Sequence, residues 1–124
     1  MEVTLLGKNE TMSGIESALK VIGGVEAVSI FENLFYAKEH LADHSSALLL
    51  LDGDDEAVSW QYVVDELKAS GPEVRIVLLK EDSYDAAKAY DAGVFDYLMK
   101  PVDEKQLIRV IVKYTMHQKR VNKP

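Results

Sequence analysis

Cysteine is absent from this chain of 124 residues. That excludes a disulfide scaffold, a thiolate zinc site and a cysteine nucleophile. Long apolar runs are absent too: the longest are Ala47–Leu51 and Ile76–Leu79, far short of the ~20 residues that cross a bilayer. The opening Met1-Glu2-Val3 has neither the basic flank nor the apolar core of a secretory signal, so the expectation is a cytoplasmic protein without a membrane segment. Acid is missing from the C-terminal end. No acidic residue follows Glu104, whereas Arg109, Lys113, Lys119, Arg120 and Lys123 do. The first 108 residues hold nine basic residues against all 21 acidic ones, a net of −12 within a total of −7. A body so acidic argues against nucleic-acid binding. The expected organisation is one domain over residues 1–118, followed by a basic tail at 119–124.

What is present is ordinary for a packed core: 48% hydrophobic and 28% charged residues, enough for one domain to fold without staples. The pattern alternates. Glu2–Leu6 reads as a strand. Ile15, Ala18, Leu19 and Ile22 fall at helical spacing, and Gly23-Gly24 stops that helix. Val25–Ile30 predicts a second strand, and Leu34, Ala37 and Leu41 a helix ending near Asp43–Ser46. Ala47–Leu51 is continuously apolar, as in a strand buried on both faces. Trp60, Val63, Val64 and Leu67 form one helix face, closed by Gly71-Pro72. Val74–Leu79 predicts a fourth strand, Tyr84–Ala92 a helix capped by Gly93, and Val94–Met99 a fifth strand. Leu107, Val110, Ile111 and Tyr114 line a last helix with Asp103 as N-cap. Five strands alternating with five helices predict an α/β fold, a doubly wound (βα)5 arrangement around a five-stranded parallel sheet.

In such sheets function gathers at the carboxyl ends of the strands. Asp52 directly follows an apolar strand and so sits at the rim, half shielded from water; taken alone, it could equally cap a helix starting near Glu56. Lys100 ends the fifth strand before Pro101, the candidate for a turn or a cis peptide bond, and Tyr97 lies three residues earlier. Other constellations carry less. His40 and His44 are four apart, but no acidic third ligand shares their register, and solvated histidines are expected. Met12, Met99 and Met116 read as core or edge packing. Of Phe35 and Tyr36, beside the main stripe of the second helix, one is expected to be exposed.

Leu48-Leu49-Leu50-Leu51-Asp52 and Ala92-Gly93-Val94-Phe95-Asp96-Tyr97-Leu98-Met99-Lys100-Pro101 together resemble the receiver domains of two-component response regulators, over roughly Glu2 to His117. The resemblance implies the flavodoxin-like receiver fold. It places Asp52 at the phosphoacceptor position, Lys100 at the lysine that contacts the phosphoryl group, and Tyr97 at the aromatic that changes rotamer on activation. It also exposes departures. Receivers end their first strand in two acids that hold Mg²⁺; those positions here are Gly7 and Lys8. Receivers place Thr or Ser at the end of the fourth strand; here that position is Lys80, or Leu78 if counted back from Lys100 without a gap, and neither bears a hydroxyl.

Phosphoryl transfer needs a cation to neutralise spreading negative charge, and Mg²⁺ prefers carboxylates in near-octahedral geometry. Glycine offers no side-chain ligand and lysine repels the ion, so no cofactor is expected, with Glu10 and Asp54 as weak substitute ligands. Lys8, Lys80 and Lys100 are expected to ring Asp52 and favour its ionised form. The resulting expectation is a non-enzymatic, phosphorylation-independent pseudo-receiver. The alternatives are a phospho-switched receiver with an unusual metal shell, and a small α/β enzyme sharing only the fold. Ile108, Val112 and Thr115 form a second stripe on the last helix. They point to a protein partner or a homodimer through helix 4, strand 5 and helix 5.

Overall fold

The computed structural model describes residues 1–70 and 73–121. The elements run β1 (Glu2–Leu6), α1 (Asn9–Lys20), β2 (Ala27–Phe31), α2 (Leu34–Asp43), β3 (Ser46–Asp52), α3 (Trp60–Ser70), β4 (Arg75–Lys80), α4 (Ala86–Asp91), β5 (Asp96–Met99) and α5 (Glu104–Val121). All strand pairs are parallel and the order is β2-β1-β3-β4-β5. Strand order reverses at β1, so the crevice of the sheet opens between the carboxyl ends of β1 and β3. Leu6-Gly7 and Asp52 stand there.

The apolar run of β3 feeds two cores because successive side chains point to opposite faces. Leu48 and Leu50 join Val3, Leu5, Val77, Leu79 and Leu98 beneath α1 and α5. Leu49 and Leu51 join Ile76, Leu78 and Tyr97 beneath α2, α3 and α4. The predicted face of α3 is wholly inward: Trp60, Val63, Val64 and Leu67 are all buried. Leu107, Val110 and Ile111 seat α5. Its N-terminus is a reciprocal cap, with Gln106 N donating to Asp103 Oδ1 and Asp103 N donating to Gln106 Oε1, each at 2.9 Å.

Several local expectations are corrected. β2 starts two residues later than its apolar alternation suggested. α3 begins at Trp60 rather than near Glu56, because residues 54–59 form turns in which Asp55 Oδ1 accepts from Ala57 N. α4 is only six residues long; Ser83 and Tyr84 lie in the loop before it. Gly93, at φ +92°, closes α4 in the left-handed conformation that suits glycine, and Lys68 Nζ donates to Ala92 O beside it. α5 continues past residue 118 and takes Lys119 and Arg120 into the helix. The predicted stop at Gly71-Pro72 and the residues after Val121 lie outside the described residues. Phe35 and Tyr36 are both exposed, as are Met99 and Met116, whereas Met12 is buried in the core. Among the described residues no helix is long and apolar enough to cross a membrane.

Candidate functional site

The rim is built by three strand ends in register. Asp52 pairs with Leu79 across β3 and β4, and Lys80 with Met99 across β4 and β5. Gly53 N donates to Leu79 O at 2.8 Å and Lys100 N to Lys80 O at 2.8 Å. These bonds carry the ladder one step beyond each strand and fix where the side chains of Asp52, Lys80 and Lys100 leave the backbone. The Lys100-Pro101 peptide is cis.

Asp52 is only 7% exposed. Lys100 Nζ donates to its Oδ1 at 2.7 Å, and Asp54 N donates to the same oxygen at 3.0 Å. Asp52 therefore closes a turn onto Asp54 and does not cap α3. Lys100 Nζ also lies 3.0 Å from Asp54 Oδ2. Lys80 Nζ lies 3.2 Å from Asp54 Oδ1 and 3.1 Å from Asp85 Oδ2, and donates to Gly53 O at 3.2 Å. The result is a chain of alternating charge, Asp52–Lys100–Asp54–Lys80–Asp85.

The expected ring of three lysines around Asp52 is thus corrected. Lys100 alone pairs with it. Lys80 is drawn to Asp54 and Asp85, and Lys8 is exposed at the N-cap of α1, where its backbone carbonyl accepts from Thr11 and Met12. Glu10 is exposed in the first turn of α1. Asp85 also belongs to the arrangement, as does the indole of Trp60, whose spacing marks it only as part of the inward face of α3. Trp60 Nε1 donates to Asp85 Oδ2 at 3.4 Å. The usable signal was the acidic loop Glu81-Asp82-Ser83-Tyr84-Asp85 directly after a lysine at a strand end.

The charges reinforce one another. Burial opposes ionisation of Asp54, yet Lys100 and Lys80 outweigh it and hold this carboxyl below its ordinary value. Burial likewise opposes the charge on Lys80, and Asp85 and Asp54 outweigh it, lifting its pKa above the usual lysine range. Lys100 is raised in the same way by Asp52 and Asp54. Tyr97 is buried, its phenol pKa pushed up by burial, and its hydroxyl donates to Asp82 O at 2.6 Å.

The divalent ion that a receiver-type rim implies does not fit this donor set. Gly7 supplies no side chain, and a Cβ built on it would lie 2.7 Å from Met12 Cε and 2.9 Å from Asp52 Cβ. The volume an acid would need is already filled. Both oxygens of Asp54 face ammonium groups. The narrow cleft beside Asp52 is lined by Gly7, Glu32, Leu34, Asp55 and Val58. Among the described residues no three His, Asp or Glu groups converge as metal ligands. A larger groove of about 500 Å³ lies at the opposite, amino end of the sheet, near Glu2, Asp43, His44, Glu73 and Tyr114. It is remote from the rim where doubly wound sheets gather their chemistry.

No protein-family model matches the chain, and no curated protein matches it by sequence. Solved structures do resemble it. The response regulatory domain of protein mrkE from Klebsiella pneumoniae superposes with a TM-score of 0.80 at 17% identity, over 97% of this chain and 99% of that one. A response regulator receiver domain protein from Clostridium thermocellum gives 0.82 at 19% identity, over 97% and 98%. The receiver domain of AraT, a response regulator from Geobacillus stearothermophilus, gives 0.79 at 21%, over 98% of each chain. Identities this low speak for the fold alone, and the fold is the flavodoxin-like fold of response regulator receiver domains.

Proposed function

We propose that this chain is a receiver-like signalling module that works through protein contacts without phosphorylation of Asp52 and without Mg²⁺. The observation carrying the reading is the Asp52–Lys100–Asp54–Lys80–Asp85 chain. Cations of the protein itself already neutralise the carboxylates that a metal would need, and Gly7 and Lys8 supply none. Electrostatic neutralisation by a bound cation is the main help a protein gives to phosphoryl transfer; without it Asp52 is a poor acceptor. After incubation with Mg²⁺ and a small phosphodonor such as acetyl phosphate, the intact mass is expected to stay unchanged. A gain of one phosphoryl group that Asp52→Asn abolishes would establish the phospho-switched alternative instead.

The contact surface we assign to α4, β5 and α5. Tyr90, Met99, Ile108, Val112 and Met116 are between 40% and 54% exposed, and Thr115 is exposed with its hydroxyl turned back onto Ile111 O at 2.9 Å. Ile108, Val112 and Met116 recur every four residues, so they line one side of α5 away from its buried side. Apolar surface gathered this way suits a protein partner or a second copy of the chain. Ile108→Lys with Val112→Lys should leave cooperative melting intact and abolish association read by light scattering or partner capture. Unchanged association would remove α5 from the interface.

A further inference from the structure

We propose that Lys80 is a conformational lock: its ammonium group, held between Asp54 and Asp85, fixes the Glu81–Asp85 loop, and through that loop α4 and the Tyr97 phenol, to the Asp52 rim. This deepens the proposed function, on which its signalling meaning rests, while the lock itself is a physical property of the fold. The loop has little of its own to hold it. Residues 81–84 are exposed, Tyr84 at 83%, and its internal bonds are local, with Tyr84 N donating to Asp82 Oδ1 and Ala86 N to Ser83 O. Three side-chain links tie it to the body: Lys80 to Asp85, Trp60 to Asp85, and Tyr97 to Asp82 O. The first is the charged one. α4 is short: its six residues supply one fully buried side chain, Ala89, and a partly buried Ala86. They add one side-chain bond to the sheet, Tyr90 Oη donating to Asp96 Oδ1 at 3.0 Å.

On its other side Lys80 grips the β3–α3 turn through Asp54 Oδ1 and Gly53 O. Its stem crosses so close to Gly53 that a Cβ there would sit 2.6 Å from Lys80 Cδ and 3.1 Å from Leu79 O. The stem is therefore confined between β4 and that turn. Segments with few buried contacts open locally at low free-energy cost, so removing one charged link should be felt first in this loop and α4. The Tyr97 hydroxyl, whose acceptor is a carbonyl of the same loop, should report the release.

The test combines hydrogen exchange over residues 81–92 with ¹⁹F NMR of fluorotyrosine protein, the Tyr97 signal being identified by Tyr97→Phe. Lys80→Met keeps the apolar stem and removes the charge, and Lys80→Arg restores the charge. In Lys80→Met, exchange over 81–92 should quicken about tenfold while β1 and α1 change less than about twofold. The Tyr97 resonance should shift or broaden, and Lys80→Arg should recover most of both effects. Asp85→Ala, which leaves β4 untouched and removes both acceptor oxygens, should reproduce the local effect should Lys80→Met not fold. Unchanged exchange over 81–92, or an equal rise across all peptides, overturns the lock. A protein that accepts a phosphoryl group yet shows the local release refutes the proposed function and leaves the lock standing. One that stays unmodified and shows no release does the reverse.

Discussion

Lys100→Met should lower the unfolding free energy at pH 7 by about 2–3 kcal/mol, more than any other single charge removal at the rim. Lys100 is the cation shared by Asp52 and Asp54, at 2.7 and 3.0 Å. Without it, a carboxylate 7% exposed keeps only the Asp54 N–H as partner, and Asp54 keeps only Lys80. Removing one partner of a fully buried pair costs about 3–5 kcal/mol; the Lys100 side chain is 20% exposed, so water recovers part of that. Asp52→Asn should cost less, about 1 kcal/mol, because the amide oxygen still accepts from Lys100 and Asp54 N.

The pH dependence follows from the displaced groups. Asp54 is lowered in the folded state, so its contribution is present above the ordinary value of 3.8 and lost as pH falls through the folded value. Lys100 is raised, so its contribution is present below 10.5 and lost as pH rises through the folded value above it. The Lys100→Met deficit should therefore be full at pH 7 and shrink in acid. Denaturant titrations at about pH 7 and pH 3 measure it. A deficit under about 0.5 kcal/mol at neutral pH would show that solvent screens the pairs.

The fold was legible wherever burial dictates residue type. The unbroken Leu48–Leu51 run demanded a strand covered on both faces, and it feeds both cores. The 0, 3, 4, 7 spacing from Trp60 demanded one inward helix face, and all four residues are buried. The rim was legible as a set of positions and not as a set of contacts. Spacing places Lys80 at a strand end, but the direction of its stem depends on the gap left by Gly53 and on carboxylates from two loops. Loop geometry carries no periodicity. Lys8 lies one residue past Gly7, where the chain turns to start α1, and that turn exposes it. From sequence, the charge of Asp54 marks it as a possible metal ligand. Its two lysine partners come from residues 26 and 46 positions away, a pairing that only the closed sheet reveals.

Placing aspartates at Gly7 and Lys8 should introduce a Mg²⁺ response that the parent is expected not to show, and the structure sets what each substitution contributes. Gly7→Asp must move Met12 Cε, which is the tip of a flexible side chain, and must also open space against Asp52 Cβ, which is anchored to β3. Overpacking of that kind costs about 1–3 kcal/mol. Lys8→Asp acts in the opposite direction. Lys8 occupies the N-cap of α1 with an extended backbone and no side-chain cap, a place where aspartate satisfies a free N–H and suits the helix dipole, for a gain of about 0.5–1 kcal/mol. Lys80→Thr frees one oxygen of Asp54 and places a hydroxyl at the end of β4. The triple variant should therefore be less stable than the parent in chelator and recover as Mg²⁺ is added, by about 2.7 kcal/mol once the ion reaches a hundredfold excess over its Kd. The parent, compared at equal ionic strength in about 10 mM MgCl₂ and NaCl, should show the same Tm in both, since screening by salt is then matched. A parent whose Tm rises with Mg²⁺ and loses that rise in Asp52→Asn would mean that Asp54 or Glu10 swings in to complete a metal shell. A triple variant that folds but ignores Mg²⁺ would mean that the Lys100 pairing alone is enough to keep the ion out.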